Sequence, residues 1–426
     1  MMLLATALPL LLPLLSSTTG FPTTNAVPNT LHQRGWGNEG LVENVTSDDP
    51  HEYYYEDESG DIYTSHPWKR DDTNELVRRA SGLVIRDPTS RLEMRFPSQP
   101  RGADLQSLKD FAYLDYAGLG ARVYVHDSGI NEKHSEFTGA LPEGVKRGGK
   151  VDILQPKKTA SGAKIPTVKG DPDGHGSCVS SKVIGTNYGI AKSASLTVVP
   201  FVDLYNDAYM LAGLQTIVDD IKSRKKKGSG IFGSSKIPFW AVVNLSYGLG
   251  HEVDDNPDLL EEYRKKYLAM VNEGALLIGT AGNDGNQYLV SAYPARFAEE
   301  DAFKNNMIVV GSVNTDGLRS SFSNVGSVVT MRAPGAVSET NGVPQALKCA
   351  GSTGNTVNAR WGTSLASPQV AGLAAYLYSI DPSLRGSTAA QKIKAKIEDP
   401  SERGASYKRP GSGDLSIWNM QYGTSC

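Results

Sequence analysis

A serine, a histidine and an aspartate stand in this chain at positions where each can take part in amide hydrolysis. Ser364 lies in Gly362-Thr363-Ser364-Leu365-Ala366-Ser367-Pro368, just after a glycine turn and just before the apolar run Val370-Ala371-Gly372-Leu373-Ala374-Ala375-Tyr376-Leu377. A hydroxyl at a helix start meets the positive end of the helix dipole and backbone N–H groups without intrahelical partners, both of which favour developing negative charge. A serine is a poor nucleophile until a base takes its proton, and imidazole titrates near neutral pH. Gly174-His175-Gly176-Ser177 offers that base, and Asp127-Ser128-Gly129 offers a carboxylate to fix its tautomer and stabilise the imidazolium. Attack on an amide also creates an oxyanion. Its candidate donors are the side-chain amide of Asn283, in Thr280-Ala281-Gly282-Asn283-Asp284-Gly285, and the backbone N–H of Ser364. Pro368 removes the N–H that would bond the Ser364 carbonyl in a regular helix, which fits a specialised first turn better than plain capping. Taken singly, each residue has a plainer reading: the serine as an N-cap, the aspartate as a turn residue, the histidine as part of a surface loop. Their combination carries the catalytic one.

These groups need a frame that brings them together. Ala121-Arg122-Val123-Tyr124-Val125, Ser195-Leu196-Thr197-Val198-Val199, Phe239-Trp240-Ala241-Val242-Val243-Asn244-Leu245, Ala275-Leu276-Leu277-Ile278-Gly279 and Met307-Ile308-Val309-Val310-Gly311 read as strands. Helical stretches at 208–221 and 259–271 alternate with them. Continuous apolar strands alternating with helices predict an α/β fold with a mostly parallel sheet covered on both faces. In such sheets functional groups gather beyond the carboxyl ends of the strands. Asp127 falls at one such end and Asn283 just past another, while His175 and Ser364 begin helices.

The length of 426 residues allows one large domain and a removable leader. Residues 1–20 read as a secretory signal peptide, apolar through Leu15 and then small and polar, too short for a stable membrane span. Residues 21–90 read as a pro-segment or linker of low order, rich in proline and acidic residues, with the dibasic pairs Lys69-Arg70 and Arg78-Arg79 suited to processing and a sequon at Asn44. Residues 91–426 are the expected catalytic domain. A second sequon at Asn244 falls in a buried-looking strand and is discounted. The net charge of −3 gives no global signal for nucleic acid. The basic run Lys222-Ser223-Arg224-Lys225-Lys226-Lys227, continuing into Gly228-Ser229-Gly230, reads as a solvated surface loop. No later apolar run is long enough for a membrane span, so a secreted product without membrane partners, and a monomer, are expected. Of the three cysteines, Cys349 and Cys426 lie outside predicted helices and form the expected bridge; Cys178, three residues past His175, is the expected buried thiol.

At this level of detail the chain resembles the subtilisin family of serine peptidases, of the fungal, proteinase K-like kind, over about residues 91–426. The blocks that carry the likeness are Asp127-Ser128-Gly129-Ile130-Asn131 with His134-Ser135-Glu136-Phe137, Gly174-His175-Gly176-Ser177 and Asn244-Leu245-Ser246-Tyr247-Gly248. Tyr293-Pro294-Ala295, Ser321-Phe322-Ser323-Asn324, Ala333-Pro334-Gly335 and the Ser364 block follow in the family's order. The resemblance implies a triad of Asp127, His175 and Ser364, with Asn283 completing the oxyanion hole. It implies that Ser246, Tyr247 and Gly248 hydrogen-bond an extended protein or peptide substrate by strand addition, and that Gly248 and Gly282 leave room for the residue before the cleaved bond. A cis proline at Pro294 belongs to the same block. The chemistry calls for no cofactor; a structural calcium ion is common in the family, although no dense acidic cluster marks a metal site. Leu365 and Gln369 replace a common methionine and histidine, and the leader does not resemble the family's folded inhibitory propeptide.

The implied function is a secreted serine endopeptidase working through an acyl-enzyme. The alternative is a catalytically silent secreted binding protein on the same fold. An α/β-hydrolase esterase would need Gly-x-Ser-x-Gly, and Ser364 is followed by Leu365-Ala366.

Overall fold

The apolar runs form the middle of a nine-stranded sheet in the computed structural model. The structure describes residues 40–41, 54–56, 62–64, 84–88, 90–98, 108–141, 151–227, 238–249, 251–401, 403–408 and 414–421. The signal segment, both dibasic pairs, Asn44, the Gly228-Ser229-Gly230 run and Cys426 therefore lie outside the described residues. Two compact units divide the chain, at Met1–Trp68 and Lys69–Cys426. In the first, three short strands, Gly40–Leu41, Tyr54–Glu56 and Ile62–Thr64, pair antiparallel.

In the second, the sheet runs in the order Ser406–Lys408, Leu415–Ile417, Val329–Pro334, Met307–Val313, Leu276–Thr280, Trp240–Leu245, Ala121–Asp127, Ser195–Pro200, Val151–Ile153. Every neighbouring pair is parallel except Ser406–Lys408 with Leu415–Ile417. From Ala121–Asp127 the chain goes to the edge strand Val151–Ile153, returns to Ser195–Pro200 between the two, then crosses to Trp240–Leu245 on the other side. The strand order thus reverses where the ends of Ala121–Asp127 and Trp240–Leu245 lie side by side, the place where a crevice for ligands opens in open α/β sheets.

Alternation along the strands divides their side chains between two cores. Val123, Val125, Val198, Val242 and Ile278 pack with the helices His175–Ile184 and Thr363–Ile380. Tyr124, Val199, Val243, Leu245 and Leu277 pack with the helices Asp207–Lys227 and Pro257–Asn272. Both faces are dry, as continuous rather than alternating apolar strands require. The helix Thr363–Ile380 is buried along nearly its whole length. Its alanines and Gly372 let the helix His175–Ile184 and its following loop come close, since a Cβ on Gly372 would lie 3.0 Å from Ile190 Cβ and 3.4 Å from Val183 O.

Two expectations are corrected. The basic run at 222–227 is not a loop but the last turns of the helix Asp207–Lys227. Lysine and arginine are good helix formers, and cations are favoured at the negative end of the helix dipole. Arg224 also pairs with Asp220 and Asp152 at 2.7 and 3.2 Å. The disulfide joins Cys178 to Cys349, not Cys349 to Cys426. A helical position does not disqualify a cysteine: the helix His175–Ile184 lies against the hairpin of Leu347–Ala350 and Val357–Arg360, which puts the two Cα atoms 4.8 Å apart. Replacing both cysteines by alanine is expected to cost about 2–5 kcal/mol of stability. Denaturant unfolding of the covalently inhibited protein measures this, and an unshifted midpoint would show that the bridge contributes nothing.

The packed region also begins earlier than residue 91, because Val84–Asp87 pairs antiparallel with Phe111–Leu114 and buries Ile85 fully. Buried Lys182 reaches this segment, with Nζ donating to Lys348 O at 2.8 Å and lying 3.6 Å from Glu93 Oε1.

Candidate active site

Asp127 ends its strand with its side chain almost wholly buried, and Oδ1 accepts from the Ser128 N–H at 2.8 Å. The same oxygen pairs with His175 Nδ1 at 2.8 Å. Burial pulls the His175 pKa down; the charge and hydrogen bond of Asp127 outweigh it, so the imidazole titrates above its ordinary value. The pairing depends on a close backbone approach, because a Cβ on Gly176 would sit 2.2 Å from Gly129 O.

A buried carboxylate missed by the sequence reading fixes that approach. Asp171 accepts from the Gly174 and Ser177 N–H groups at 3.0 and 2.6 Å, and from Ser128 Oγ at 2.7 Å. Ser128 Oγ in turn accepts from the Gly176 N–H at 2.9 Å. Asp171 thereby ties the residue after Asp127 to the first turn of the His175 helix. An aspartate four residues before a helix start, in Asp171-Pro172-Asp173-Gly174-His175, is the signal that could have found it.

Ser364 is the second residue of its helix. Gly362 precedes it at φ 143°, and a Cβ there would lie 3.1 Å from Ser364 Oγ and 3.2 Å from Asn283 Nδ2. Hydroxyl and amide thus border one small space that only glycine leaves open. Asn283 Oδ1 accepts from the Thr363 N–H at 2.8 Å and from Thr363 Oγ1 at 2.9 Å, which leaves Nδ2 as the free donor. Thr363, fully buried and also bonded to Thr280 Oγ1, is the second residue the sequence reading missed. Among the described residues no hydrogen bond joins His175 to Ser364. The helices that the two residues begin pack against each other, and such bonds commonly tighten only when substrate arrives.

The carbonyl freed by Pro368 is put to use. Ser364 O accepts from Ser246 Oγ at 2.9 Å, and Ser246 Oγ also meets Ser367 Oγ at 2.9 Å and Asn244 Nδ2 at 2.8 Å. Gln369 Nε2 donates to Pro334 O and Leu365 O at 2.6 and 2.9 Å, fastening the helix to a strand end. The Tyr247 side chain points into the core, its hydroxyl 3.0 Å from the Tyr267 hydroxyl. Gly248 is exposed. A Cβ on Gly282 (φ 107°) would meet Asn324 Nδ2 at 2.7 Å, so that glycine clears Asn324. The Tyr293–Pro294 bond is cis. No group of three or more His, Cys, Asp or Glu side chains among the described residues is placed to hold a metal ion.

Residues 118–413 match the model of the subtilase family. The chain belongs to that family. This subtilase is 31% identical over 276 residues to Subtilisin-like protease 2 of Trichophyton rubrum, covering 64% of this chain and 53% of that protein. It is 31% identical over 305 residues to an alkaline proteinase of Hapsidospora chrysogena, covering 71% of this chain and 61% of that protein. It therefore spans well under two thirds of the length of both. Its fold is that of a cold adapted subtilisin-like serine proteinase, with a TM-score of 0.53, 21% identity and coverage of 78% of this chain and 98% of the other.

Proposed function

We propose that this subtilase is a secreted serine endopeptidase. Two arrangements support the reading: His175 Nδ1 held by Asp127 at 2.8 Å, and the Asn283 amide oriented by Thr363 at the space that Ser364 Oγ borders. His175 Nε2 takes the Ser364 proton as Oγ attacks the scissile carbonyl, and Asp127 stabilises the imidazolium. Asn283 Nδ2 and the Ser364 N–H hold the oxyanion. His175 then returns the proton to the leaving amine, the acyl-enzyme forms at Ser364 Oγ, and water releases it by the same steps in reverse. An extended substrate pairs with the main chain of residues 246–248, which gives affinity with tolerance for many side chains. Residues 1–20 act as the signal peptide and 21–90 as the segment removed on maturation. Among the described residues no helix is long and apolar enough to cross a membrane.

Fluorophosphonate labelling of the secreted protein, with N-terminal sequencing of the labelled band and turnover of matched peptide and ester substrates, tests this reading. Labelling of a leader-free band that cleaves peptides is expected. A folded, leader-free protein that neither labels nor cleaves would be a binding scaffold. Asn283→Leu keeps the branching of the side chain and removes the donor. It is expected to lower kcat by about 10²–10³ with little change in KM, the size such a donor has in subtilisin itself. A loss confined to KM would remove Asn283 from the oxyanion hole.

A further inference from the structure

The groups of the proposed reaction lie on one side of the segment that follows Trp240–Leu245, while a buried polar chain holds its other side. Ser246 and Tyr247 are consecutive and face opposite ways, as extended backbone dictates. Ser246 is fastened to the nucleophile helix through Ser364 O. The Tyr247 hydroxyl lies 3.0 Å from His126 Nδ1 and 3.0 Å from the Tyr267 hydroxyl. His126 immediately precedes Asp127 on the neighbouring strand, and Tyr267 belongs to the helix Pro257–Asn272. Phe201, just past Ser195–Pro200, completes the group. Its ring stands edge-on to His126 and Tyr247 with centroids 5.5 and 5.9 Å away, and its N–H donates to Asp127 O at 2.9 Å. Three adjacent strand ends thus meet in one cluster behind the catalytic face.

An imidazole is a costly choice for this place. His126 is completely buried, and among the described residues Nε2 has no hydrogen-bond partner. Gly213 must be glycine beside it, since a Cβ there would lie 2.3 Å from Nε2. Burial pushes the imidazole pKa down to about 3, so the ring is neutral in the working range. An aliphatic side chain would fill the space without an unpaired nitrogen. What the imidazole adds is direction: a hydrogen bond sets the position of the Tyr247 ring, which non-directional apolar contact does not.

We propose that His126 is a positioning residue which, through Tyr247 and with Tyr267 as second anchor, sets the backbone of residues 246–248 at the place where an extended peptide pairs beside Ser364. The inference rests on the reading of 246–248 as the strand that receives substrate. It makes recognition of long peptides, rather than bond-making at Ser364, the property that depends on His126.

The test compares a peptide amide with one residue before the cleaved bond, a peptide amide with four, and p-nitrophenyl acetate. The proteins are the parent, His126→Leu, Tyr267→Phe and His126→Asn, each normalised to titrated Ser364. His126→Leu and Tyr267→Phe should raise KM for the long peptide and lower its kcat/KM by about 5–20-fold, with the acetate ester within about twofold of the parent. His126→Asn, whose amide returns a hydrogen-bonding atom near the Nδ1 position, should recover most of the loss. An equal loss on ester and long peptide would make His126 a support of Asp127 and overturn the inference. So would variants that keep the parent's full preference for the long peptide. A parent that cleaves both peptides equally well would remove the substrate-strand reading itself, and the inference with it.

Discussion

Ser364→Ala is expected to abolish fluorophosphonate labelling and to lower kcat by about 10⁶-fold, the size that removal of the nucleophile has in subtilisin. His175→Ala should cost about as much, and the double variant hardly more, because the hydroxyl and the imidazole act in one step. Non-additivity is therefore the informative readout. Additive losses would mean that His175 does not serve Ser364. This matters because no hydrogen bond joins the two side chains among the described residues, although the helices they begin are packed together. Ser364→Ala should unfold at the same denaturant concentration as the parent: Ser364 Oγ borders a small open space and bears no structural hydrogen bond of its own among the described residues.

Asp127→Asn is expected to lower kcat by about 10⁴-fold and to move the acid limb of the activity profile. Catalysis needs neutral His175, so activity rises with pH through the imidazole pKa. Burial lowers that pKa, and Asp127 raises it by more, so in the parent the limb of kcat/KM lies above the ordinary value of about 6.5. With asparagine the burial remains and the charge is gone, so the limb falls below it. The stability consequence has the opposite sense. The pairing of Asp127 with protonated His175 contributes stability that is full below the unfolded-state pKa and lost as pH rises through the higher folded-state value. A limb unmoved by Asp127→Asn would show that another group controls the rate.

Much of this was legible in the sequence because it rests on local signals. The runs read as strands from Ala121, Ser195, Phe239, Ala275 and Met307 are continuously apolar, and each contains a strand of the sheet, two of them starting one residue later, at Trp240 and Leu276. The short elements Val151–Ile153, Ser406–Lys408 and Leu415–Ile417 toward the two ends of the sheet give no such signal, being only three residues each and lacking a continuous apolar pattern. Charge density at 222–227 signals exposure but not conformation: the run is exposed apart from half-buried Arg224, and it is helical.

The sequence by itself determined the candidate reacting groups and their supports at helix and strand ends, since Asp127, His175, Asn283 and Ser364 sit beside turn glycines and apolar runs that are visible one segment at a time. Only the tertiary structure decided which distant groups meet. It joined Cys178 to Cys349, tied Ser128 to Asp171, turned Asn283 by means of Thr363, and set Tyr247 between His126 and Tyr267. Each of these contacts links residues on different elements. Their partners are fixed by the order of strands in the sheet and by how closely helices approach across it, quantities that no local run of residues carries.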